Sequence, residues 1–245
     1  MRQDSLFRLG STSKLFVGLA LALCKDRGLV DYEASVSVYL EALRNTDAGK
    51  LTLKQLFTHT SSLAPLHKAG LRERDDEVTE ATIADIVEGA GSLSIDPSKV
   101  GQYAYSNTGI ILLAEVVSRV QDLSYEDFVQ KEILEPLEMH HTWFHTRDID
   151  LNQKTTGYFP NFQAAVDPDL QGYAPVGGMY STGPDMAKLM GLLQLALDDS
   201  SSAELPIKAE VIRDLTKVYF QEGQRAMGVS VDIGYRISDI AMDIP

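Results

Sequence analysis

The run Leu15-Phe-Val-Gly-Leu-Ala-Leu-Ala-Leu-Cys24 carries no charged side chain over ten residues. Ten residues are too few for a helix to cross a bilayer, so the run is either cleaved away or buried inside the protein. Two readings fit. In the first, Arg2, Arg8 and Lys14 form the positive flank of a secretory signal, and Leu21-Ala-Leu-Cys24 resembles a lipoprotein cleavage site. Leu23, bulky where such sites want a small residue, and the acidic Asp4 speak against it. In the second, the run is a buried helix. Ser11, Thr12 and Ser13 open it, and Lys25, Arg27 and Gly28 close it, which are ordinary start and stop signals. Such a helix is apolar all round and needs cover on every side.

The rest of the composition bounds the answer. The 245 residues hold 22 Lys+Arg against 35 Asp+Glu, a net charge of −13. That balance argues against nucleic acid and anionic membrane, both of which call for a basic footprint. Apolar residues at 44% and charged residues at 23% describe a globular chain long enough to bury a core. With one cysteine, Cys24, no intrachain disulfide and no multi-cysteine metal site can form. The compartment is left open.

Periodicity and caps predict a mainly helical chain. Helices are expected over Leu53–Thr58 behind Thr52, over Thr82–Glu88 closed by Gly89, and over Gly109–Val120, whose Ile110, Leu113, Ala114 and Val117 share one face. Ser124-Tyr-Glu-Asp127 and Thr182-Gly-Pro-Asp185 are capping patterns that open two more, the second running to Leu197. Lys208–Val218 is the last. Met227–Ile233 alternates apolar and polar residues and reads as a strand, so strand signals lie only near the C-terminus. The stretch from Asn152 to Gly178 has no clear period and reads as a loop.

Chemistry concentrates in two segments. In Ser11-Thr-Ser-Lys14 the serine and the lysine are three apart, which places them on one face of a helix. A serine hydroxyl is a weak nucleophile until a base sits beside it. A lysine serves as that base when burial and the positive end of a helix dipole disfavour its charge. In Tyr105-Ser-Asn107 a phenol can share a proton with a lysine, and an amide can meet a substrate amide. Taken alone, each segment also fits a plain capped helix start.

Taken together, six segments resemble the serine β-lactamase and penicillin-binding family, in its class C-like branch. That branch holds β-lactamases, D-alanyl-D-alanine carboxypeptidases, esterases and eukaryotic β-lactamase-like proteins. The segments are Phe7-Arg-Leu-Gly-Ser-Thr-Ser-Lys14, Gly28-Leu-Val-Asp31, Leu51–Leu63, Tyr105-Ser-Asn-Thr-Gly109, Glu135-Pro-Leu-Glu-Met139 with Thr142 and Phe144, and Pro175–Thr182 with Asp185-Met-Ala187. They stand in the family's order along residues 5 to 233. The resemblance favours the buried helix over the signal. It implies that Ser11 is the acyl-forming nucleophile, that Lys14 is its base partner shared with Tyr105, and that Asn107 orients the substrate. It implies a small-molecule or peptide-like acyl substrate (ester, amide or β-lactam) and no metal or organic cofactor.

Two departures qualify it. After Asp232 the chain contains no Lys-Thr-Gly or His-x-Gly, the family's third motif, whose strand supplies a second oxyanion donor. Only ten residues precede Ser11, so most of the family's sheet is missing. The fold implied is mainly α with a small β portion: the helical part of the β-lactamase/transpeptidase-like α/β fold, most of the usual antiparallel sheet missing. Residues 1–245 then form one β-lactamase-related domain, incomplete at both ends. Without the sheet part of the nucleophile helix would face water, so either something else covers it or the chain is unstable and associates. A catalytically inactive scaffold is the alternative function. Ser62 stands where the family carries glycine, which strains a tight turn.

Other residues tempt less. His141 and His145 are four apart, a zinc-like spacing, but Thr142, Trp143 and Phe144 between them favour a loop or strand over a helix. His59 reads as a structural hydrogen-bonding residue. Asp198-Asp199 reads as a solvated acidic turn, and Gly177-Gly178 as a close backbone approach near the site.

Overall fold

The computed structural model describes residues 2–65, 81–144, 153–165, 170–223 and 225–232. Its first paired element is short. Strand β1 (Phe7–Arg8) leads into a 3-10 turn at Gly10–Ser13, which runs directly into helix α1 (Lys14–Asp26). The hydroxyls of this turn do not cap α1. Ser13 accepts the Met179 N–H instead, at 3.3 Å, and Ser11 turns toward other partners described below. At the far end Gly28 takes φ +70, and the Leu29 N–H closes on the Cys24 carbonyl at 3.0 Å.

Of the two alternatives for α1, cover by other elements is the one the structure shows. From Phe16 to Cys24 every side chain is buried. Helix α4 (Asn107–Gln121), helix α5 (Tyr125–Val129), helix α6 (Ala174–Gly177) and helix α8 (Ala209–Thr216) all pack on it. The chain's own helices cover an all-apolar cylinder, each buried Leu or Phe contributing about 1.5–3 kcal/mol. The closest approach is at Gly18, where an added Cβ would stand 2.0 Å from the Val229 carbonyl oxygen.

The remaining helices follow their caps. Helix α2 (Leu53–Phe57) has a full capping box between Thr52 and Gln55, and helix α3 (Ile83–Gly91) has one between Thr82 and Asp85. Packing carries α3 two residues past Gly89, because Ala90 is fully buried. Helix α4 starts two residues earlier than expected, with Ser106 accepting the Gly109 N–H. Helix α5, opened by Ser124, continues into a π-helical turn at Gln130–Leu134. Helix α7 (Gly183–Leu197) is capped by Thr182.

Three expectations need correction. The stretch before Gly178 is not all loop, since a 3-10 turn at Gln171–Tyr173 leads into α6. Strand signals are not confined to the C-terminal part, since β1 pairs antiparallel with β2 (Tyr180–Ser181), Phe7 opposite Ser181. Two-residue strands show no period. Finally, the strand expected over Met227–Ile233 lies earlier. Strand β3 (Phe220–Glu222) pairs with β4 (Arg225–Met227), and the chain then turns at Gly228–Val231, with Ser230 at φ +60. The apolar Val229 in this turn docks on α1, its N–H donating to the Leu215 carbonyl. Ile233 lies outside the described residues. Among the described residues no helix is long and apolar enough to cross a membrane.

Candidate active site

The 3-10 turn and α1 place Ser11 and Lys14 one turn apart, and the N-terminus of α4 brings Tyr105 beside them. The Lys14 Nζ donates to Ser11 Oγ at 2.9 Å, and Ser11 Oγ shares a 2.8 Å hydrogen bond with the Tyr105 hydroxyl. Residues 94 apart in sequence thus share one proton-carrying cluster. Lys14 is 4% exposed and also donates to the Val176 carbonyl in α6 at 2.9 Å. Tyr105, by contrast, is 52% exposed and marks the open side of the cluster.

Rigid elements fix each member. Antiparallel pairing of β1 with β2, and the Leu9 N–H to the Met179 carbonyl at 2.8 Å, seat the turn that holds Ser11. Behind β2, the Thr142 hydroxyl bridges Ser181 and the buried carboxylate of Asp185, each at 2.9 Å. The Asp185 carboxylate also accepts the His141 N–H at 2.7 Å. Gly178 fits where an added Cβ would stand 2.7 Å from Ala174 Cα. This is the close approach expected of Gly177-Gly178.

His59 supports Tyr105 from behind. Its ring lies against the Tyr105 ring at 4.7 Å, and its Nδ1 accepts the Ser106 N–H at 3.2 Å. The structural role expected of His59 is therefore present in the geometry. Burial, together with the Lys14 and Arg225 charges, lowers the imidazole pKa to about 4. Asn107, the first residue of α4, keeps its Oδ1 buried with no hydrogen-bond partner among the described residues. A buried unsatisfied acceptor is costly, and here it stands two residues from Tyr105.

The pattern of matches along the chain decides the family. The beta-lactamase family profile matches residues 1–235. The chain belongs to the beta-lactamase family. Penicillin-binding protein 4* of Bacillus subtilis is 31% identical over 152 residues, covering 60% of this chain and 32% of that protein. The teichoic acid D-alanine hydrolase of Staphylococcus aureus is 26% identical over 194 residues, covering 78% of this chain and 46% of that protein. A class C beta lactamase from Rhodobacter sphaeroides superposes with a TM-score of 0.75 at 28% identity, covering 94% of this chain and 61% of that one. A beta-lactamase/D-alanine carboxypeptidase from Pseudomonas syringae reaches 0.77 at 19% identity, which shows the shared fold. The chain spans 32% and 46% of the length of these two curated relatives.

Within this beta-lactamase fold the structure brings together Ser11, Lys14 and Tyr105, with Asn107 at the same helix start. Sequence reasoning missed the Val176 carbonyl, because a backbone acceptor carries no residue signature. The resemblance of Pro175-Val-Gly-Gly178 to a family segment was the available hint. His140 and His141 are exposed and His145 lies outside the described residues. The His141 ring meets Trp143 edge-on at 6.0 Å.

Proposed function

We propose that this chain is a serine hydrolase that acts through an acyl-enzyme on an ester, amide or β-lactam. The observation that carries the reading is Ser11 Oγ lying within hydrogen-bond reach of both Lys14 Nζ and Tyr105 Oη. Lys14 is buried with its Nζ against Ser11 Oγ, and in this reading the Lys14–Tyr105 pair is the proton acceptor. Ser11 Oγ bonds to the carbonyl carbon, its proton passes to the Lys14–Tyr105 pair, and the carbonyl electrons move onto the oxygen. Collapse of that oxyanion expels the leaving group, which takes the proton back. Water then repeats the sequence and releases the acid. The Ser11 N–H is proposed as one oxyanion donor, and Asn107 Oδ1 as the acceptor for a substrate N–H. Relatives named as a penicillin-binding protein and a D-alanine hydrolase fit this acyl-serine chemistry.

Hydrolysis of a neutral aryl ester by the whole chain tests the reading. Ser11→Ala is expected to remove turnover, and Tyr105→Phe to lower it by about 10²-fold or more. Equal turnover in wild type and Ser11→Ala would refute it. A catalytically inactive scaffold is the second reading. That reading expects a folded protein without Ser11-dependent turnover. We also propose self-association, supported by exposed apolar side chains such as Phe162 and Met190. Sedimentation at several protein concentrations reads it directly.

A further inference from the structure

A column of four side chains runs from β4 to the candidate nucleophile. The Arg225 guanidinium lies 3.8 Å over the Tyr103 ring. Tyr103 meets His59 edge-on at 5.9 Å, and His59 lies against Tyr105 at 4.7 Å. Tyr105 in turn hydrogen-bonds Ser11 at 2.8 Å. The Arg225 Nε makes no hydrogen bond among the described residues, and the Asp232 carboxylate stands 3.6 Å from it. Among the described residues, the Lys14 Nζ from α1 lies 5.0 Å over the Tyr105 ring, and Glu222 pairs with Arg225 in the β3–β4 ladder.

We propose that Arg225 is a positioning residue of this site. It holds the Tyr103–His59–Tyr105 column that aims the phenol at Ser11, and its charge, set against Asp232, biases where the proton rests among Ser11, Lys14 and Tyr105. This inference rests on the acyl-serine reading above. Its physical basis is twofold. A planar guanidinium stacks on a ring face as a lysine ammonium cannot. A fixed cation nearby favours the deprotonated state of the Lys14–Tyr105 pair, and a fixed anion disfavours it.

The opposed charges give opposite signs to test. The readout is the rate at which a neutral fluorophosphonate labels Ser11 in the whole chain, followed across pH. The acid limb of that profile reports the proton on the Lys14–Tyr105 pair. Arg225→Gln is expected to move the limb up by about half a unit, and Asp232→Asn to move it down by a similar amount. Arg225→Lys keeps the charge, so its limb stays in place while labelling slows roughly two- to fivefold from the lost stack. Limbs that coincide in wild type, Arg225→Gln and Asp232→Asn would overturn the proposal, as would shifts of the same sign. A purely structural role moves none of them. Should Arg225→Gln not fold, an unmoved limb in folded Asp232→Asn overturns it alone. A folded wild type that is not labelled at all refutes the acyl-serine reading and this proposal with it. Labelling with unmoved limbs refutes this proposal only.

Discussion

His59 joins a left-handed backbone, a buried ring and a hydrogen bond in one residue. Its φ is +57, its side chain is 3% exposed, and its Nδ1 holds the Ser106 N–H. With a folded pKa of about 4 against an ordinary value near 6.5, the unfolded chain takes up this proton first. Stability contributed by neutral His59 is full above about pH 6.5 and is lost as pH falls toward 4, amounting to about 3 kcal/mol. Thermal melts across that window are expected to show the loss. In His59→Asn the slope is expected to flatten, because asparagine tolerates positive φ and offers an oxygen in place of Nδ1. An unchanged slope would remove the assignment. Ser62 takes φ +56, so the glycine-like turn foreseen from the family pattern is present with a serine in it. At this scale Ser11 and Lys14 were legible because their relation is local, a spacing of three. The Val176 carbonyl and the stack of Arg225 on Tyr103 join residues far apart in the chain, and no spacing announces them.

Helices were legible wherever a hydroxyl or carboxylate caps them, as at Thr52, Thr82, Ser124 and Thr182. The exception is instructive: Ser11, Thr12 and Ser13 look like caps of α1, yet none caps it. Tertiary partners claim Ser11 and Ser13, the site and the Met179 N–H respectively. Strands were misplaced, because β1 and β2 are two residues long and β4 ends where the alternating pattern begins. There the apolar Val229 is used to pack against a helix rather than to face a sheet. Gly18 makes that docking testable. Gly18→Ala puts a Cβ 2.0 Å from the Val229 oxygen and is expected to lower stability by about 1–3 kcal/mol. Gly191→Ala in α7, where a Cβ meets nothing within 4 Å, is expected to raise it by up to about 1 kcal/mol. Chemical denaturation of the pair reads both signs, and equal effects would contradict the packing described for α1.

Across the whole molecule, one buried cluster links α1 to nearly every other helix. A polar network ties its far end to the C-terminal elements. The Asp214 carboxylate in α8 accepts from Lys25 at 2.7 Å, Tyr32 at 2.8 Å and Tyr219 at 2.5 Å. Burial opposes its charge, but these hydrogen bonds hold the carboxyl below the usual carboxylate range. The same architecture that packs α1 therefore orients its N-terminal turn, where Ser11 meets Lys14 and Tyr105. Ordered family-like segments made this arrangement readable from sequence. The full cover of α1 was not, because which helix lies on which face is a long-range property. If Ser11 is an activated nucleophile, a fluorophosphonate labels it, and mass spectrometry of the whole chain after reaction reads that directly. A single covalent adduct is expected on Ser11, absent in Ser11→Ala and strongly reduced in Lys14→Met. A folded wild-type protein with no adduct, or with its adduct on another residue, would contradict it.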